Sequence, residues 1–277
     1  MFEISKVNQM FTIALVLLLV ACQNQSSTPE KKNLVPEFQN KGHELVYKMV
    51  LKVGTYQNLK DKKDVSYTYT YTTPDGKEDI SEEKYIFDGE LSYGRYVKHE
   101  RTMPELEGMV EQGYDGSGFW LRHNDQNIED PKLLKSVAFN RPTNFYWFAM
   151  MQKLLDPGLS YAYLGEKNID NKNYDIVKVT FASNNNAPKD IYQLYINKAT
   201  SLVDQFLFTV ADFGIIETPL LMKVKYIEVD GFLIPADRKY KKSTWEADVT
   251  EDPWINVQWS AIKYNSNLSK DLFIGKQ

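Results

Sequence analysis

Apolar residues near the start of the chain recur at three-and-four spacing, and the rhythm then changes to strict alternation. Leu45, Val46, Met49, Val50 and Val53 share one helical face, with Glu44, Lys48 and Lys52 opposite. This predicts a helix from about Pro36 to Lys52. Pro36 suits a first-turn position and Gly54 a C-terminal cap, while Gly42 weakens the first half. Val65, Tyr67, Tyr69 and Tyr71 alternate with Ser66, Thr68, Thr70 and Thr72, the pattern of a half-buried strand. Pro74-Asp75-Gly76 supplies turn chemistry, with strands expected near Lys84 to Phe87 and Leu91 to Lys98. Short strands flank Asp115-Gly116-Ser117-Gly118, from Val110 to Tyr114 and from Phe119 to Arg122.

The middle departs from alternation. Asp130-Pro131 opens a short helix to about Ala138, and Thr143 caps a second from Asn144 to Leu155. Phe145, Tyr146, Trp147, Phe148, Met150, Met151, Leu154 and Leu155 cover nearly the whole circumference of the second helix. It must therefore lie between layers or cover an apolar cavity. A meander follows, with strands expected at Ser160 to Gly165, Tyr174 to Phe181, Ile191 to Ile196 and Leu202 to Val210. Leu220 to Val229, Phe232 to Tyr240 and Trp254 to Tyr264 complete it. Asp230-Gly231 is a strong two-residue hairpin signal for a type I′ turn. The mature chain has neither an internal linker nor a repeat, so one mainly β (α+β) domain of about ten antiparallel strands is expected, with helices on one side.

Ahead of these elements, Phe11 to Val20 is an apolar run of about ten residues, right for a signal-peptide core and short of the roughly 20 needed to span a bilayer. It ends at Leu19-Val20-Ala21-Cys22, which resembles the bacterial lipobox, and Cys22 is the only cysteine of the 277 residues. The resemblance implies residues 1–21 as a lipoprotein signal peptide and Cys22 as the acylated (palmitate-type) attachment point. The other reading of Cys22 is a secretory signal with an incidental cysteine. Two or three acyl chains, at about 0.8 kcal/mol per buried CH2, hold a protein on a membrane where one is marginal. Gln23 to Lys32 has no apolar residue and reads as a tether, giving boundaries of 22–33 for the tether and 34–277 for the domain. No acidic cluster follows Cys22, which by resemblance to surface-exported lipoproteins points to the periplasmic side of a membrane, and the outer membrane is the one expected.

Charge narrows the function classes. With 33 Lys and Arg against 37 Asp and Glu, the chain has no basic footprint for nucleic acid. Without Cys22 the mature domain has no thiol for a disulfide, catalysis or metal binding. The bias is aromatic: 18 Tyr, 14 Phe and 5 Trp suit sheet faces.

No catalytic, cofactor or metal set emerges. His43, His99 and His123 are scattered outside any metal motif and read as surface groups. Gly116-Ser117-Gly118 precedes a strand, unlike a nucleophile elbow, and reads as a turn. Glu82-Glu83 and Glu251-Asp252 are neighbours that a strand points opposite ways, and solvated charges are expected. Asp115 with Trp120 would suit a sugar ring, against a plainer reading as turn cap and buried indole.

The amphipathic helix, meander, apolar helical insertion and second meander together resemble the LolA/LolB-like fold, the outer-membrane lipoprotein-sorting fold. The stretch from Asp190 to Asp204 is similar to its tyrosine-bearing hairpin. Tyr114-Asp115-Gly116 with Trp120, Asn144 to Phe148, and Tyr226 to Gly231 with Ile234-Pro235 look like uncharacterised Bacteroidota lipoproteins near that fold. The resemblance implies a single curved antiparallel sheet or incomplete barrel, with helices covering the concave side and a cavity for acyl chains. Trp147, Phe148, Met150, Met151, Tyr69, Phe206 and Phe208 are then the pocket candidates, against the alternative that they are plain core. The function expected is a non-enzymatic, membrane-anchored periplasmic lipoprotein. It would bind an acyl chain or a lipoprotein in envelope biogenesis. A solid-cored interaction or scaffold module and a glycan-directed enzyme are the alternatives.

Overall fold

A computed structural model of the chain describes residues 37–182 and 189–275. The expected signal peptide, Cys22 and the tether lie outside the described residues. The compact unit runs from Phe38.

The fold is built on one 13-stranded antiparallel sheet with two free edges. In chain order its strands are β1 (Asp64–Thr72), β2 (Glu78–Ile86), β3 (Leu91–His99), β4 (Val110–Tyr114), β5 (Phe119–His123) and β6 (Gln126–Asn127). Then come β7 (Leu159–Ile169), β8 (Lys172–Phe181), β9 (Ile191–Asn197), β10 (Val203–Val210), β11 (Ile215–Val229), β12 (Phe232–Lys242) and β13 (Ile255–Tyr264). Spatially they run from β6 back to β1, then β13 back to β7, so the two meanders join where β1 pairs with β13. Three helices complete it: α1 (Lys41–Val53), α2 (Tyr56–Asp61) and α3 (Pro131–Lys153). Helix α1 packs on β7 and β8 and also reaches β12, four strands from β8, so the sheet curls around it. The expected curved, unclosed sheet with helices on its concave side is the architecture observed.

Local chemistry explains most element ends. Asn40 caps α1 by accepting from the His43 N–H, and α1 begins later than expected from Pro36. Asp230 and Gly231 both have positive φ, the geometry of the expected type I′ hairpin. Asp115 Oδ1 accepts from the backbone N–H groups of Ser117 and Gly118, so it caps the turn before β5.

The largest departure is α3. Two helices were expected, the second capped by Thr143, but one helix runs through both with Pro142 inside it. Proline removes a ladder hydrogen bond and ordinarily breaks or kinks a helix. Here the preceding residue, Arg141, is pinned to Glu83 on β2, and Phe145 and Phe148 one turn on are buried against the sheet. Tertiary anchoring on both sides of the proline offsets the lost bond. Asp130 caps the start as expected, accepting from Lys132 and Leu133 N–H at 2.9 Å.

Candidate functional site

Beneath α3 the concave face carries two apolar clusters. The first joins α1 and the end of α3 to β7–β11, with Val46, Met49, Met150, Met151, Tyr192, Phe206 and Phe208 among its members. The second gathers Leu59, Tyr67, Tyr85, Phe145, Phe148 and Trp259 around β1, β2 and β13. Trp147 packs against both and is only half-buried, so it stands at the seam between them.

The seven pocket candidates converge on this region. Trp147 stacks on Phe206 with 6.0 Å between ring centroids and meets Phe208 edge-on at 5.2 Å. Phe148 lies flat on Tyr67 at 5.0 Å and tilts against Trp259 at 5.4 Å. Met150 and Met151 fill the α1 side, and half-buried Tyr69 packs against the second cluster. Five of the seven (Phe148, Met150, Met151, Phe206 and Phe208) are at most 4% exposed. A chain entering here has to displace side chains. Two open depressions, of about 600 and 610 Å3, lie away from the seam, beside the α1–α2 junction and against the outer end of β3.

The most informative residue at the seam is one the sequence reading passed over. Arg238 on β12 is 5% exposed, its guanidinium carbon 3.7 Å above the Trp259 ring and 5.8 Å from that of Trp147. Simple alternation through Phe232, Ile234, Ala236, Arg238 and Tyr240 already assigns it an inward position, and that was the available signal. Among the described residues its side chain has neither an ion pair nor a hydrogen bond. Burial pulls its pKa down to about 10, against the opposing influence of Tyr69, Tyr67, Tyr240 and Tyr85. It therefore remains charged at neutral pH.

A second buried arginine is treated differently. Arg141 and Glu83, both wholly buried, form a two-pronged pair at 2.9 and 3.3 Å. Glu83 also accepts from the Ser81 and Tyr85 hydroxyls, at 2.7 and 2.9 Å. Burial is the largest single influence and works against the Arg141 charge, but Glu83 together with Tyr96 and Tyr85 holds the pKa above the ordinary arginine value. The expectation of solvated Glu82-Glu83 is thus corrected for Glu83. Strand β2 points Asp79, Ser81, Glu83 and Tyr85 inward, so its interior face is polar, opposite to the usual pattern. Glu82 faces outward beside Arg95.

His43 is also corrected: it stacks on Tyr161 at 4.7 Å, and its Nδ1 accepts from the Gln39 N–H. His99 and His123 meet the carbonyls of Gly108 and Glu107. Trp120 is half-buried and donates its indole N–H to the Phe273 carbonyl. Asp115 is engaged by its turn, as the plainer reading of that pair expected, while the indole is half-buried and not buried. Among the described residues no group of three His, Cys, Asp or Glu side chains could hold a metal ion, and no helix is long and apolar enough to cross a membrane.

The profile of a family of unknown function, DUF6503, matches residues 124–234, from the end of β5 into β12. No curated protein matches the chain in sequence. Solved structures do match in shape. A DUF1329 family protein from Desulfovibrio piger is 13% identical over 85% of this chain and 98% of its own, with a TM-score of 0.50. That likeness is one of fold. A domain assigned as an outer-membrane lipoprotein-sorting protein from Vibrio parahaemolyticus is 10% identical over 84% and 96% of the two chains (TM-score 0.48). A LolA superfamily protein from Nitrosomonas europaea is 12% identical over 80% and 98% (TM-score 0.44).

Proposed function

We propose that this protein is a binding protein of the bacterial cell envelope, tethered to a membrane through lipidated Cys22, that takes an acyl chain into the seam beneath α3. The observation that carries the reading is the half-buried Trp147, standing between two apolar clusters on the concave face of an open sheet. Each CH2 transferred there from water contributes about 0.8 kcal/mol. Met150 and Met151 give the wall unbranched, adaptable side chains. The binding role requires no reaction. The outer membrane, facing the periplasm, is the location proposed, with residues 22–33 as tether and the domain from residue 34.

A solid-cored interaction module is the second reading, favoured by how completely Phe148, Met150, Met151, Phe206 and Phe208 are buried. Native mass spectrometry of the full chain carrying Cys22→Ser separates the two. The carrier reading expects co-purified lipid, and Trp147→Glu, at a half-exposed position, should abolish it while leaving the melting temperature close to the parent's. A chain that emerges free of lipid and takes up no brominated fatty acid, scored by tryptophan quenching, overturns it.

A further inference from the structure

Every other buried arginine of the described residues has a protein counter-charge. Arg141 has Glu83, and Arg122 has Glu111. Even the exposed Arg101 pairs with Asp79 and lies over the Tyr71 ring at 4.1 Å. Arg238 alone is buried without an ion pair. An unpaired charge in an apolar interior is expensive, because little there replaces its hydration.

The surroundings define what would complete it. Cross-strand register places Arg238 between Val224 on β11 and Val257 on β13, with Tyr71 of β1 next in the same row. The Trp259 ring lies against its guanidinium, and the Trp147 ring stands further off, at 5.8 Å. The Nε of Arg238 and the Nε1 of Trp259 are both sealed from solvent and donate to no acceptor among the described residues. The guanidinium lies directly over that indole, so the two donors belong to one locus. Both require an oxygen acceptor, and the guanidinium also requires negative charge. The polar groups around it are hydroxyls of Tyr67, Tyr69, Tyr85 and Tyr240, which cannot supply that charge at neutral pH. Tyr67 is committed to Tyr85, and Tyr240 to Tyr71.

We propose that Arg238 and the Trp259 indole N–H form the headgroup site of the seam, receiving the oxygens of a carboxylate or phosphate on an amphiphile whose chain lies along Trp147, Phe206 and Phe208. This rests on the acyl-binding reading above and narrows it to anionic amphiphiles. A planar guanidinium offers paired N–H groups to two oxygens of one anion, which adds orientation to attraction. The aromatic seam then begins at the buried charge, so chain and headgroup are read by adjoining surfaces.

The test uses probes that share a chain and differ in the headgroup. Lauric acid, dodecyl phosphate, dodecanol and dodecyltrimethylammonium are titrated into the full chain carrying Cys22→Ser, with inorganic phosphate as a chain-free arm. Binding is followed by calorimetry and by the indole 1H–15N resonances. The two anionic amphiphiles should bind at least tenfold more tightly than dodecanol, and the cation more weakly still. Dodecyl phosphate should shift the Trp259 indole resonance where dodecanol does not. Arg238→Met should erase the preference of the anions over dodecanol, while Arg238→Lys should retain part of it. Melting curves establish that both variants fold.

Equal binding of dodecanol and the anions, or a preference that survives in Arg238→Met, overturns the headgroup site and leaves the acyl-binding reading standing. Phosphate bound as tightly as dodecyl phosphate, and lost in Arg238→Met, supports the anion site and removes the chain from it. Binding of no probe overturns both.

Discussion

Two arginines are buried on the concave side, and the protein treats them in opposite ways. Arg141 reaches from α3 into the polar inner face of β2, where Glu83, Ser81 and Tyr85 form a closed hydrogen-bonded set around the ion pair. Gly94 on β3 makes room for it, since a Cβ there would come within 2.3 Å of the guanidinium. Arg238 reaches from β12 to the Trp259 ring, with Trp147 further off, and meets no carboxylate partner among the described residues. The first region spends its charge on fixing α3 to the sheet. The second holds a charge that the fold does not use, which is the mark of a site and not of a scaffold.

The contrast breaks most visibly at Arg141. Arg141→Met leaves Glu83 buried and unpaired, and should lower stability by about 3–5 kcal/mol in urea unfolding. Adding Glu83→Met should recover most of that loss, because replacing a whole buried pair with apolar groups is often close to neutral. No recovery would mean that the pair does more than anchor the helix.

The opposite sign is expected for Arg238→Met. Methionine keeps contact with Trp259 and removes an unpaired charge, so stability should rise by about 1–2 kcal/mol despite the lost cation–π contact. A lower melting temperature would show that the contact with Trp259 compensates the charge after all. The pH dependence sharpens this. The folded-state pKa of Arg238 is lowered to about 10, below the ordinary arginine value, so its penalty is present in full below about pH 10. It fades as pH rises above that. The stability gap between Arg238→Met and the parent should therefore be flat from pH 7 to 9 and narrow above 10. Arg141, whose pKa is raised, contributes its stability throughout that range and shows no such change.

The smallest effect concerns the shell around Glu83. Tyr85→Phe removes one hydroxyl that donates to Glu83 and also contacts Tyr67, leaving the Arg141 pair intact. It should cost about 1 kcal/mol, read as a shift in the urea midpoint with unchanged slope.

Much of this was legible in the residues. Strict alternation located β1 and most of the second meander, and Asp230-Gly231 marked its hairpin, because turn chemistry and period-two patterning are local. The all-round apolar helix was recognisable as a sandwiched element, and the seven pocket candidates do lie along one seam. The polar inner face of β2 was not legible. A strand that points Asp79, Ser81 and Glu83 inward looks like a surface strand until Arg141, 58 positions later in the chain, supplies the counter-charge. The continuity of α3 through Pro142 was hidden for the same reason, since the anchoring that tolerates the proline comes from another element.

Composition, period and turn signals by themselves determined that this chain makes a mainly antiparallel β domain with an aromatic interior and an apolar helix laid against it. Alternation along β12 also carried the signal for an inward Arg238, which the sequence reading passed over. Whether an inward charge is neutralised depends on which groups the sheet brings to face it, and that is a property of strand order and curvature. Only the tertiary structure decided that Arg141 meets a carboxylate while Arg238 meets two indoles, because the partners of a buried charge come from strands distant in sequence.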